Sequence, residues 1–563
     1  MNRTPVVSPS DEIDLYVRTY TTLLRSTGDV DVRAFEETHA FSALSLHEGA
    51  LSPVPDVGAF AYAAGRLPLE MPHARRVVLG QSHELFEASG FDVTHWKTVR
   101  TRGRRRPLRW DGEGTLAVFI ASASDIDDFV PMVTAYQIEW NKMHERLRSG
   151  GPSPSRADVA SALGLDEAGM GKLVEAFGHD RFDDAVATLA AAPLDLKLRM
   201  LAASHSQYQR SAQRWWSGVE PSYVRAIHPR RPPVYFVSSN THAIANLVGG
   251  YARGHVDAIA SWARETNPEG LAGDLSDALA AGDEPRVASI LHYLLRGWIH
   301  ADVTGARMNE VRDYEHRAGL SHLSTPGHID VDAQVISLAR IDAACLDPRL
   351  RVPGLDALRR SDAIVLNIDY PLGMAAYYLL SRVGQGVGEL RGVYVMGKAA
   401  TLNGRVGDVS LSGLCYDEHS RNTFLFRNAF GASDVAPFLQ RGSVFDNQAA
   451  LTVRSAFLQN RQYMTAFYRQ GYTVLEMEAG PFLGAVYELI YPHALPREEI
   501  VHLSDKTPFD VGFLHYASDT PYSRTQSLLS KSLSYFGVDS TYACAIAIMR
   551  RIFEQEVARL RHV

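Results

Sequence analysis

Cysteine is scarce: three thiols, Cys345, Cys415 and Cys544, stand far apart in 563 residues with no CxxC pair among them. That scarcity argues against a disulfide framework and a cysteine-built structural zinc site, and it fits a reducing compartment. Long apolar runs are missing as well. Nowhere does the chain approach the ~18 consecutive apolar residues of a membrane helix, and its first residues hold prolines, serines and acids instead of an apolar signal core. No membrane partner is expected, and the expected location is the cytoplasm. Positive charge is also short: 57 Lys and Arg against 64 Asp and Glu give a net charge of −7. Proteins that track phosphate backbones carry a basic excess, so no nucleic-acid partner is expected. No HExxH occurs, and His316, His322 and His328 recur every six residues, a spacing that shares no helical face. Neither a metal nor a cofactor is called for.

What is present is an ordinary globular composition, 46% hydrophobic and 21% charged, on a chain too long for one core. Helical spacing dominates the first half: Leu15, Val17, Tyr20, Leu23 and Leu24 open it, and the alanine- and leucine-rich stretch 159–216 continues it. Strand-like runs interrupt at 75–79, 115–121 and 234–237, and a Gly-Gly-Pro-Ser-Pro-Ser linker begins at Gly150. Past Gly354 the texture becomes alternating strand and helix. Strands are expected at 363–368, 392–396, 408–411 and 473–477, and helices at 374–383, 450–469 and 540–560. The fold class is therefore α/β: a C-terminal mixed sheet flanked by helices over 355–563, after a mainly helical region with some strands over 1–354, with a possible internal boundary at 150–158.

Two polar features of the first region admit two readings each. Arg100, Arg102, Arg104, Arg105, Arg106 and Arg109 crowd before Trp110, as a solvated basic loop or a phosphate-contacting arm. Ser238, Ser239 and Thr241 lie between a strand and a helix start, where a capped helix or an anion cradle both suit the pattern.

Chemistry concentrates in the last third. Asn367-Ile368-Asp369-Tyr370-Pro371-Leu372-Gly373 ends a strand with a glycine that lets backbone approach a ligand. Gly397 and Lys398 follow in Val395-Met396-Gly397-Lys398. The string Glu476-Met477-Glu478-Ala479 ends another strand, and Ser518-Asp519 closes the apolar run 511–517. An acid held at a strand end can face a crevice rigidly, which suits hydrogen bonding to sugar hydroxyls and proton delivery to a leaving group. Capping or ion pairing is the plainer reading of Glu476 and Glu478. Asp505, in a second Ser-Asp, competes with Asp519 for the acid's role.

In this order the pieces resemble the nucleoside phosphorylase and nucleosidase superfamily, which includes purine nucleoside phosphorylases, methylthioadenosine nucleosidases and AMP nucleosidases. The resemblance spans roughly 355–553. It implies that Glu478, with Glu476 nearby, binds ribose hydroxyls, that Met477 packs under the sugar, and that Asp519, beside Ser518, shares a proton with the departing purine. Gly373, Gly397, Lys398 and Phe445 would complete the substrate pocket, with Lys398, Ser238, Ser239 and Thr241 as phosphate contacts. The implied activity is cleavage of the N-glycosidic bond of a purine nucleoside or its 5′-monophosphate. Hexameric phosphorylases of the family hold phosphate with an arginine and a serine where this chain has Val395 and Lys398; a lysine is no bidentate arginine, so hydrolysis is preferred to phosphorolysis. A non-catalytic nucleotide sensor is the rival from another class. A homo-oligomer is expected from the same resemblance.

Overall fold

The computed structural model describes residues 9–25, 28–42, 44–101, 108–148, 155–201, 204–226, 231–324, 329–491, 493–504, 507–520 and 534–561. It divides into two compact units: Met1–Ser211 with His328–Asp330 and Arg454–Ala466, and Ala212–Gly327 with Val331–Val453 and Phe467–Val563.

The first unit is mainly helical around a six-stranded sheet. Its strands are β1 (Val30–Asp31), β2 (Arg76–Gly80), β3 (Lys97–Val99), β4 (Leu108–Trp110), β5 (Thr115–Phe119) and β6 (Lys197–Met200), in the order β1-β6-β2-β5-β4-β3. β2 and β5 appear where continuous apolar runs demand a strand buried on both faces, and both are buried over their last four residues. β6 is a correction to the all-helical reading of 159–216. Its residues pair with β2 from Arg76↔Lys197 to Leu79↔Met200, so sheet pairing overrides local helix preference.

The second unit carries β7 (Pro233–Ser238), β8 (Leu320–Leu323), β9 (Ala333–Ser337), β10 (Ile364–Ile368), β11 (Glu389–Thr401), β12 (Val409–Asp417), β13 (Thr423–Leu425), β14 (Val444–Thr452), β15 (Val474–Glu476), β16 (Ile500–His502) and β17 (Asp510–Asp519). The division therefore does not fall at Gly354. β7 runs parallel to β10 on one side and to β11 on the other, so the sheet cannot be completed without residues that precede 354. A second correction concerns 450–469. The segment begins as the end of β14, and the helix starts at Arg461, because β14 fills the place between β12 and β15.

Five of these strands form a closed ring. β11 pairs with β17, β17 with β12, β12 with β14, β14 with β15, and β15 returns to β11. Closure removes free edges from that part of the sheet. From β11 the sheet continues as β7, β10, β9 and β8. Alternation along β7 sends Tyr235 and Val237 into a core with the helices Ala243–Gly249, Glu284–His300 and Ser534–Arg561. Phe236 points the other way, 5.9 Å from the ring of Phe482. That opposite layer is made by the packed helices Ala375–Gly386 and Ala479–Ile490.

Candidate functional site

β7 and β10 are parallel neighbours, yet the helix after β7 goes to one face and the helix after β10 to the other. Where that happens the two chain exits diverge and leave a crevice beyond the carboxyl ends of the strands, the usual ligand position in open α/β sheets. Residues 238–242 form one lip and residues 369–373 the other.

The first lip is tied down by its own hydrogen bonds. The Ser239 hydroxyl lies 2.7 Å from Asn367 Oδ1 and 2.9 Å from the Asn240 carbonyl, either of which can accept its proton, and the Ser239 N–H donates to the Ile368 carbonyl at 2.9 Å. The Asn240 side chain accepts from the N–H groups of His242 at 3.2 Å and Ala243 at 2.6 Å, and the Thr241 carbonyl accepts from Gln334 Nε2 at 2.5 Å. Ser238 is buried within β7 between Ile368 and Val395. Within the turn it is the Asn240 side chain that satisfies the N–H groups at the helix start. On the second lip Gly373 takes φ = 53°, a left-handed conformation suited to glycine, and its N–H donates to Glu478 Oε1 at 3.4 Å.

Glu478 is brought there by Glu476. Glu476 Oε2 accepts from the N–H groups of Glu478 at 2.7 Å and Ala479 at 2.6 Å, while Oε1 accepts from the Thr452 hydroxyl. The same hydroxyl oxygen accepts from the Gly480 N–H at 2.8 Å. An anionic acceptor at the start of the Ala479–Ile490 helix satisfies free donors and meets the positive end of the helix dipole. Burial raises the Glu476 carboxyl above its ordinary range, and the three donors offset only part of that. Beneath the helix start lies Asp417. Burial pushes its carboxyl up, but hydrogen bonds from His419 and Ser420 more than reverse this and bring it below the usual range.

One residue of β11 ties the two acidic strings together. Ala400 is in register with Leu475 of β15 on one side and with Asp519 of β17 on the other. Adjacent strands lie ~4.8 Å apart, so the start of Glu476-Met477-Glu478 and the Ser518-Asp519 pair stand on the order of 10 Å from each other across the end of β11. The bulge between Ala399 and Ala400 re-aims the end of β17. There the Ser518 hydroxyl lies 2.9 Å from Asp519 Oδ2 and 3.4 Å from the Ala399 carbonyl.

A model of the "Family of unknown function (DUF6909)" matches residues 32–554. The chain belongs to that family. No curated protein matches it. Among solved structures it is similar to a uridine phosphorylase from Vibrio fischeri, at 8% identity and TM-score 0.28, over 44% of this chain and 88% of that one. It is also similar to isoform 2 of uridine phosphorylase from Schistosoma mansoni, at 10% identity and TM-score 0.24, over 35% of this chain and 72% of that one. A methylthioadenosine phosphorylase from an antarctic soil metagenomic library is similar at 8% identity and TM-score 0.26, over 34% of this chain and 70% of that one.

In this member of the DUF6909 family the remaining sequence-predicted residues lie as follows. Gly397 and Lys398 sit in β11 opposite His515 and Tyr516 of β17. Gly397 leaves room: an added Cβ would meet only His515 Cδ2, at 3.7 Å. Lys398 and its neighbours alternate, Gly397 and Ala399 buried and Lys398 exposed. Met477 and Glu478 are half-buried, as is Asp519. Phe445 is half-buried in β14 opposite Ser410, and not ahead of a helix. Asp505 lies outside the described residues, as do Arg102, Arg104, Arg105, Arg106 and His328; Arg109 donates to the Trp96 carbonyl at 3.3 Å. Among the described residues no group of three His, Cys, Asp or Glu is placed to hold a metal ion, and no helix is long and apolar enough to cross a membrane.

Sequence reasoning assigned no role to His515 or Thr452. His515 is buried with its Nε2 3.9 Å from Glu476 Oε2, and among the described residues its Nδ1 has no hydrogen-bond partner. Burial lowers its imidazole to about 4. The only signal in the sequence is position: His515 falls on the same face of β17 as Phe513 and Ala517, an apolar face where a histidine is conspicuous.

Proposed function

We propose that this protein cleaves the N-glycosidic bond of a purine nucleoside or nucleoside 5′-monophosphate by hydrolysis. The observation that carries the reading is the double register of Ala400 with Leu475 and Asp519, which brings the Glu476-Met477-Glu478 string and the Ser518-Asp519 pair to opposite sides of one strand end, on the order of 10 Å apart. Support comes also from the crevice where β7 and β10 diverge, whose Gly373 lip contacts Glu478, and from the resemblance carried by the Glu-Met-Glu and Ser-Asp strings.

In this reading Glu478 accepts hydrogen bonds from the ribose hydroxyls, Met477 packs beneath the sugar, and Glu476 acts as a positioning residue through the two N–H groups it holds. As the C1′–N bond breaks the sugar gains oxocarbenium character and the bonding pair leaves with the purine. Asp519 delivers a proton to the base, so that no anion is expelled; a positioned acid contributes ~10²- to 10⁴-fold in rate. Water supplies hydroxide to C1′ and the proton that restores Asp519. Phe445 and Gly397 shape the pocket, and Lys398 meets a 5′-phosphate if one is present.

Hydrolysis is favoured over phosphorolysis by a specific feature. The N–H groups of His242 and Ala243, the ones a phosphate at the Ser238, Ser239 and Thr241 turn would use, are already taken by Asn240. The test is incubation with purine and pyrimidine nucleosides and their 5′-monophosphates, with and without inorganic phosphate, scored for free base by mass spectrometry. Base released without phosphate supports the reading. Release only with phosphate makes the protein a phosphorylase, and tight nucleotide binding without release makes it a sensor.

A further inference from the structure

A row of polar side chains crosses the second unit to the first lip of the crevice. Register puts His322 of β8 opposite Gln334 of β9, and Gln334 opposite Asn367 of β10, so the three stand side by side on one face of the sheet. Gln334, Asn367 and Ser239 are fully buried, and the His322 side chain is 14% exposed. The row ends in the turn after β7. There Ser239 Oγ lies 2.7 Å from Asn367 Oδ1, and the Thr241 carbonyl lies 2.5 Å from Gln334 Nε2.

The charge at the outer end fixes the direction of every bond. Glu315 Oε2 stands 2.6 Å from His322 Nε2, so that nitrogen carries the proton of a neutral ring and Nδ1 is left as an acceptor. Gln334 Nε2 then donates to Nδ1 at 3.1 Å and to the Thr241 carbonyl, while Gln334 Oε1 accepts from Asn367 Nδ2 at 2.8 Å. Asn367 Oδ1 in turn accepts from the Ser239 hydroxyl. No bond in the row reverses alone, because an amide presents donors at one end and an acceptor at the other.

A second proton on the ring reverses them together. Nδ1–H against Gln334 Nε2 sets donor against donor in a buried place, and turning the amide over restores the bond with Oε1 accepting. Asn367 turns with it and donates to Ser239 Oγ, whose hydroxyl moves to the Asn240 carbonyl 2.9 Å away. One group is not rescued. The Thr241 carbonyl then faces an oxygen where it had faced a donor at 2.5 Å, and it has to withdraw. Of the charges around the ring, Glu315 favours the proton at 2.6 Å; Arg312, 3.7 Å from the same carboxylate oxygen, opposes it, and Asp332 acts on Arg312 in turn.

We propose that His322 is a positioning residue for the first lip of the crevice. Neutral, it holds Thr241 in place through Gln334; protonated, it reverses the amide row and releases the lip. The inference rests on the crevice and not on the reaction proposed for it.

Hydrogen–deuterium exchange of the full chain tests it, read by mass spectrometry at residues 239–243 with labelling times scaled for intrinsic exchange. The range is about pH 8 to about pH 5, across which histidine side chains change charge. Protection of 239–243 should fall about threefold or more toward the acid end, while 369–373 on the other lip keeps its protection. His322→Gln, which carries no charge at any pH, should hold protection constant. Glu315→Gln, lacking the carboxylate that favours the charged ring, should move the loss to lower pH. Unchanged protection in the wild type, equal loss at both lips, or a pH dependence retained in His322→Gln would overturn the proposal. Should His322→Gln fail to fold, an unshifted loss in Glu315→Gln overturns it instead. Free-base release followed over the same range keeps the two readings apart: a chain that releases no base yet shows the His322-dependent loss contradicts the glycosidic reading and supports this one.

Discussion

Glu476 and Glu478 are separated by one residue and do different work. Glu476 is buried and accepts three hydrogen bonds inside the fold, whereas Glu478 is half-buried and turned toward Gly373. Glu476→Ala strands the N–H groups of Glu478 and Ala479 and the Thr452 hydroxyl, a loss of about 2–4 kcal/mol. Glu476→Gln keeps an acceptor for the N–H pair and should stay within about 1 kcal/mol of wild type. Urea denaturation separates the two, and equal losses would contradict the capping role. Asp519→Asn, at a half-buried strand end, should leave the melting temperature unchanged and lower base release by ~10²- to 10⁴-fold. His515 gives a pH signature. Its folded imidazole titrates at about 4 against an ordinary 6.5. The unfolded chain therefore binds the extra proton first as pH falls, so the stability is present above 6.5 and lost between 6.5 and about 4. The loss is about 3 kcal/mol, one proton's worth of slope. In His515→Gln that slope should be shallower by one proton across the same window; an unchanged slope would mean His515 is not held neutral.

At the scale of elements, the start of the Ala479–Ile490 helix is the most constrained point of the site. A Cβ on Gly480 would lie 2.5 Å from Asp417 Cβ, and Asp417 cannot yield because His419 and Ser420 hold its carboxylate. Gly480→Ala should cost about 1–3 kcal/mol through overpacking and lower turnover with it, since the helix start carries Glu478; a fully stable, fully active variant would contradict this packing. Elements with continuous apolar runs were legible in the sequence. β2, β5, β7 and β10 lie within a residue or two of expectation because strands buried on both faces need such runs. β14 was not. Its first six residues are half-buried or exposed and Asn447 takes φ = 54°, so neither alternation nor a solid apolar run marks it, and its alanines suggest helix. β6 was hidden likewise in an alanine- and leucine-rich stretch, where only pairing with β2 makes a strand.

At the scale of the molecule, the strings at 476–478 and 518–519 are legible because each ends an apolar run, and a strand end can be read locally. What joins them is not local. The register of Ala400 with both Leu475 and Asp519 depends on ring closure through β12, β14 and β15, pairings between segments dozens of residues apart. The division into units was hidden for the same reason, since β7 belongs to a sheet whose other parallel strands begin at Ile364. The central claim is that this ring presents an acid that protonates a departing purine and another that grips the sugar. The most direct measurement is free-base release from the nucleoside and 5′-monophosphate panel without phosphate, wild type against Asp519→Asn. Release by wild type that falls at least a hundredfold in the variant is the expected result. Release that persists undiminished in Asp519→Asn, or its absence from wild type on every substrate, would contradict the account.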